Sequence, residues 1–148
     1  MKTFYIFLTV ILFSCTAKKS NNEVLNFELR LAQTDPDTSL KEMVFYNTQE
    51  KFFVHDSVYL TNKEIVSTDI IDWQTQPKVH VRLNEAGRKN FAEFTKNYVG
   101  KNAAMIVDNK LMSAPRIQAQ ITKGELLIVG FFDHEEAQSI AKGILPKN

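Results

Sequence analysis

The run Ala103-Ala104-Met105-Ile106-Val107 constrains this chain more than any other feature. Five apolar residues in succession leave a strand with no polar face to turn towards water, so the strand must be covered on both sides. Asp108-Asn109 follows as a tight hairpin turn. The chain returns through Leu111 to Ala114, where Pro115 interrupts the ladder because it has no N–H to donate. Upstream, Asn84 is a good N-cap for a helix running to about Val99. Gly87, Phe91, Phe94 and Tyr98 share one face of that helix, and Gly100 stands where a C-terminal glycine belongs.

The remaining segments build around this centre. Leu25, Phe27, Leu29 and Leu31 alternate with Asn26, Glu28, Arg30 and Ala32, the period of a half-buried strand. Asp35-Pro36-Asp37 ends it. Met43 to Tyr46 and Phe52 to Val54 read as short strands, Val79 to Leu83 as a firmer one, and Thr68 to Trp73 fits strand or helix before Pro77 closes it. Ile117, Ala119 and Ile121 alternate with Arg116, Gln118 and Gln120, and Leu126 to Phe132 reads as another strand. Asp133 with Glu136 makes a capping box for a last helix that buries Ala137, Ile140, Ala141 and Ile144 and stops at Pro146. From Val79 the order is β-α-β-β-β-α, and a sheet with helices on one face is the economical packing. A chain of 148 residues supports one domain of this kind.

The first residues read as an address. Lys2 precedes a ten-residue apolar run, Phe4 to Phe13, broken only by Thr9. About twenty apolar residues are needed to cross a bilayer, so this run has the size of a secretory h-region. Ser14, a small residue, stands immediately before Cys15, the chain's single cysteine. The arrangement resembles the bacterial lipobox, with Phe13 bulkier than usual. It implies a signal peptide over 1–14, a lipidated Cys15 with a polar tether over 15–24, and a folded domain over 25–148. Thr16 to Asn22 is polar, as a tether between lipid and fold must be. The alternatives are a plain signal peptide or a buried N-terminal strand.

Charge and composition exclude several functions. There are 18 basic and 17 acidic side chains, and without Lys2 the two counts are equal. A nucleic-acid binder needs clustered excess Lys and Arg, so none is expected here. One cysteine excludes an intrachain disulfide and any multi-cysteine metal site. Three scattered histidines make a histidine metal centre unexpected. His55-Asp56-Ser57 has the letters of a hydrolase triad, but neighbours on a strand point to opposite faces. His80 is expected as a solvated side chain, His134 at a helix start, Asp69 and Asp72 in a surface loop, and Trp73 as a core or rim anchor. No set of convergent polar groups suggests an enzyme, a cofactor or a small-molecule substrate.

From Phe27 to about Pro146 the chain resembles the head subdomain of the first large periplasmic domain of SecD, the protein-export subunit. The matching stretches include Phe27-Glu28-Leu29-Arg30-Leu31 and Val81-Arg82-Leu83-Asn84-Glu85-Ala86-Gly87. The most specific is Ala104-Met105-Ile106-Val107-Asp108-Asn109-Lys110-Leu111-Met112-Ser113-Ala114-Pro115-Arg116-Ile117, followed by Gly130-Phe131-Phe132 and Ile144-Leu145-Pro146. Asn109 stands where the family has glycine, which is tolerable because Asn also enters left-handed backbone. The resemblance implies a ferredoxin-like α+β fold with an antiparallel sheet and helices packed on one face. It also implies a mobile cap that touches polypeptide emerging from a translocation channel. SecD proper has transmembrane helices and a base subdomain. Neither is expected here, so the expectation is a head tied to lipid without an export motor.

Two functional expectations follow. The first is a non-enzymatic envelope lipoprotein, facing the periplasm and held to the bilayer through acylated Cys15, that binds protein or peptide. Its candidate edge is Ser113, Ala114, Pro115, Arg116 and Gln118, where a sheet interrupted by proline could receive an extended chain. The bland alternative is that Pro115 only lets the hairpin bend. The second is an accessory subunit docking on one folded membrane complex. Thr16 after the cysteine, in place of an aspartate that retains lipoproteins in the inner membrane, favours the outer membrane.

Overall fold

The computed structural model describes residues 23–73 and 76–146. The expected signal peptide and Cys15 lie outside them. The elements are β1 (Phe27–Gln33), β2 (Lys41–Val44), β3 (Lys51–Thr61), a 3-10 turn (Asn62–Glu64), β4 (Ile65–Trp73), β5 (Gln76–Leu83), α1 (Glu85–Asn97), β6 (Asn102–Val107), β7 (Lys110–Ser113), β8 (Glu125–Ile128) and α2 (His134–Gly143). Every strand pairing is antiparallel. The fold is therefore α+β with antiparallel sheets, as expected. The strands divide into two sheets, β2-β3-β1-β6-β7 and β4-β5-β8, where a ferredoxin-like reading expects one.

The apolar run of β6 explains the division. Ala103, Met105 and Val107 enter a large core shared with β1, the three-stranded sheet and both helices. Ala104 and Ile106 point the other way, into a second core with Ala32, Met43, Phe52, Val54 and Leu111. Among the described residues no helix residue belongs to that second core, so the five-stranded sheet roofs it by curling on itself. Phe45, one residue past β2, forms a parallel bridge to Leu111, and Tyr46 N–H donates to the Leu111 carbonyl at 2.9 Å. A strand apolar on both faces is thus covered by helices on one side and by its own sheet on the other.

Local chemistry fixes the ends of the elements. The Asn84 side chain accepts from Gly87 N–H at 2.8 Å and caps α1. Asp133 and Glu136 form the expected capping box of α2. Asp108 and Asn109 have φ of 46° and 62°, the left-handed pair that a two-residue hairpin turn between β6 and β7 requires. Gly143 has a packing reason to be glycine: a Cβ there would collide with the Leu25 side chain. Asn62 ties the two ends of the domain together. Its Oδ1 accepts from Phe27 N–H at 2.8 Å, and its Nδ2 donates to the carbonyls of Leu25 and Ile144 at 2.8 and 2.7 Å.

One open alternative is decided and two expectations change. Thr68 to Trp73 is strand, part of β4, and Pro77 does not close it but sits inside β5 opposite Asp72. A proline is tolerated there because it lies one residue from the strand's start. The alternation Ile117, Ala119, Ile121 forms no strand; only Arg116 makes an isolated bridge, to Asn102. Of the three, Ile117 alone is buried, since the segment has no second strand to pair with.

An aromatic group closes the large core beneath α1. Phe94 lies 4.6 Å from Tyr59 and 5.3 Å from Tyr98 between ring centroids, and the two hydroxyls hydrogen-bond at 2.9 Å. Burial and then the Tyr98 hydroxyl push the Tyr59 phenol up to about 12. A raised folded-state value favours the protonated form, so this contribution to stability is intact below pH 10 and is lost as pH rises through 12. Absorbance titration at 295 nm is expected to show a phenolate step near pH 12, with the melting temperature falling from pH 10 upwards. A single step completed by pH 11 would refute the aromatic packing described.

Candidate functional site

The candidate edge residues are not equivalent. Ser113 is buried, and its Oγ accepts from Val129 N–H at 3.2 Å. The Ala114 carbonyl accepts from Asn102 Nδ2, and the Pro115 carbonyl from Ala103 N–H, both at 2.9 Å. The outer side of β7 is used at Leu111 by Tyr46. Through Pro115 the chain after β7 bends back on the start of β6 and continues that pairing. Pro115, Arg116 and Gln118 are exposed and face a groove.

This groove lies between two arms that do not pair with each other. The first arm, residues 115–121, is held from behind. Ile117 N–H donates to Lys101, and Gly100 N–H donates to Ile117, both at 2.8 Å. Ile121 N–H donates to the hydroxyl of buried Thr95 at 2.9 Å. The second arm is β8, held by β5. The turn 122–124 joins them, with Gly124 at φ +72°. The contact of Ser113 with Val129 closes the far end. Phe91, Ala103, Met105, Ile117 and Leu126 form the floor of a space of about 810 Å³. Ile71, Ile121, Leu127 and Val129, each 38–39% exposed, stand along its walls.

The register shows which edge is open. Leu83 N–H bonds the Gly124 carbonyl at 2.9 Å, so the hydrogen-bonded pairs of β5 and β8 continue at Val81–Leu126 and Val79–Ile128. The main-chain groups of Glu125 and Leu127 consequently point away from β5. Among the described residues no strand pairs on that side of β8. Residues from both faces of β8, Leu126 on one and Leu127 on the other, line the groove. The space therefore wraps a free strand edge.

His80 is a correction. It faces the groove and is only 14% exposed, with Nδ1 3.9 Å from Asp69 and Nε2 3.6 Å from Glu125. The sequence expectation of a solvated side chain failed because carboxylates from both neighbouring strands flank it. Asp69 and Asp72 lie on β4, not in a loop; Asp69 pairs with Arg82 at 3.3 Å and Asp72 with His134 at 3.3 Å. His55 and Asp56 sit in the irregular part of β3, where their carbonyls accept from Arg30 Nη1 at 3.4 and 3.0 Å. Trp73 ends β4, and its side chain lies outside the described residues. Sequence reasoning missed Ile71, His80, Thr95, Leu127 and Val129 as groove residues. The available signal was the alternation of Leu127 and Val129 with Leu126 and Ile128, which marks a strand with apolar residues on both faces.

The family model described as SecDF, P1 head subdomain, matches residues 38–145. Protein translocase subunit SecD of Rickettsia typhi is 44% identical over 70 residues, which are 47% of this chain and 14% of that protein. SecD of Acidaminococcus fermentans is 37% identical over 83 residues, 55% of this chain and 20% of the relative. A solved structure of SecDF in its super-membrane-facing form superposes with a TM-score of 0.66 at 22% identity, covering 83% of this chain and 19% of that one. A second, of the membrane component SecDF that enhances protein export, gives 0.66 at 21% identity and covers 83% and 63%. These likenesses place the fold in the class of SecDF head subdomains. The chain belongs to the SecDF P1 head subdomain family. It spans at most a fifth of the length of these two SecD relatives.

Proposed function

We propose that this domain receives extended polypeptide in the groove, as an added strand on the free edge of β8, on the periplasmic side of a bacterial envelope. The open main-chain groups of Glu125 and Leu127, walled by exposed Ile71, Ile121, Leu127 and Val129, carry this reading. Strand addition uses groups that every polypeptide has, and apolar walls favour segments that a folded protein would hide. That selectivity suits a domain whose relatives are translocase subunits. Cys15, as the acylated residue of a lipoprotein, would keep the groove beside the membrane.

The test uses the full chain and a fluorescent, unstructured apolar decapeptide. Leu127→Pro removes one outward N–H without touching a bond to β5. Anisotropy is expected to show binding weakened about tenfold by Leu127→Pro, with melting nearly unchanged. Equal affinity in the two proteins would reject strand addition and leave docking on a folded membrane complex as the better account.

A further inference from the structure

Four arginines occur in the chain, and three hold a carboxylate. Arg30 reaches Glu28 at 2.7 Å, Arg82 reaches Asp69 at 3.3 Å, and Arg88 reaches Glu85 at 2.8 Å. Arg116 alone has no carboxylate partner among the described residues. It is exposed and lines the groove.

Its backbone is nevertheless rigid. The Pro115 carbonyl accepts from Ala103 N–H, and Ile117 N–H donates to Lys101, so both flanking residues are bonded to the start of β6. Arg116 itself bridges Asn102, and Pro115 fixes φ immediately before it. The guanidinium is thus a planar fork of donors presented from a fixed base beside an apolar channel. Such a fork matches a carboxylate bidentately and is more weakly hydrated than an ammonium. Lys123 also lines the groove, but Glu125 lies two residues away and shares its end of the channel. Positive charge is uncompensated at the Arg116 end.

Resting on the strand-addition reading, we propose that Arg116 captures a carboxylate of the bound chain, so that the groove prefers extended apolar segments bearing an acidic group. Two sources have this chemistry: an Asp or Glu side chain, and the C-terminal carboxylate.

Three peptides with one apolar sequence separate them: a C-terminal amide, the same peptide with a free C-terminus, and the amide with one glutamate added. At low salt, at least one acidic peptide is expected to bind the full chain about fivefold more tightly than the neutral amide. Which one gains identifies the source. Arg116→Gln is expected to erase that gain; Lys123→Gln is expected to keep most of it. Equal affinities for all three peptides, or a gain that survives Arg116→Gln, would overturn the assignment while strand addition stands. Failure of even the neutral amide to bind would overturn both.

Discussion

Phe94→Ala is expected to destabilise the domain by about 4 kcal/mol. The side chain is 1% exposed and is among the largest fully buried ones. Its loss removes apolar burial, leaves a cavity beneath α1, and breaks two ring contacts worth about 1 kcal/mol each at most. Folded domains are stable by only about 5–15 kcal/mol, so a large share of the total goes. Thermal unfolding is expected to fall by about 12 °C. Urea unfolding is expected to show a lower midpoint with an unchanged slope, because the surface exposed on unfolding stays similar. Phe94→Leu, which fills much of the space, is expected to lose less than half as much. The same cavity frees Tyr59 to meet water, so its titration is expected to move from about 12 back towards the ordinary value in Phe94→Ala. A variant as stable as the parent would show that α1 does not anchor on β3 through this ring.

On the lipoprotein reading proposed above, Cys15→Ser is expected to move the chain from the membrane to the soluble fraction of the envelope. The reasoning is electrostatic as much as chemical. Without Lys2 the side chains carry 17 positive and 17 negative charges, so nothing general holds the domain on an anionic lipid surface. No helix among the described residues is long and apolar enough to cross a membrane. A single acyl chain binds a bilayer marginally, whereas two or three hold firmly, so the loss of lipidation at one atom acts as all or none. Fractionation with mass spectrometry of the N-terminal peptide checks it. A serine variant that still sediments with membranes, or a wild-type thiol found unacylated, would remove the anchor from the proposal.

Legibility in the sequence followed the range of the interactions involved. The caps at Asn84 and Asp133 were readable because each satisfies backbone groups three residues away. The turn at Asp108-Asn109 was readable because two residues tolerant of positive φ stood together between apolar runs. The five apolar residues of β6 announced two covered faces, but not that a helix layer covers one and the curled sheet the other. At the groove, the pattern around Pro115 marks the first arm and says nothing of the edge of β8 across from it. The carbonyls of Ala114 and Pro115 are spoken for by residues 102 and 103, a pairing that local pattern does not record.

Ile117 and Ile121 show the division most plainly. Both are isoleucines in one alternating run, yet the first is buried against the large core and the second is exposed on the groove wall. The sequence by itself determined the helices, their caps, the hairpin turn and the doubly apolar strand, because periodicity, capping and backbone dihedrals act within a few residues. Only the tertiary structure decided that the strands split into two sheets, that the larger one curls on itself, and that β8 keeps a free edge. Edge pairing is a competition between segments far apart in the chain, and its outcome depends on which partners packing brings within hydrogen-bonding reach.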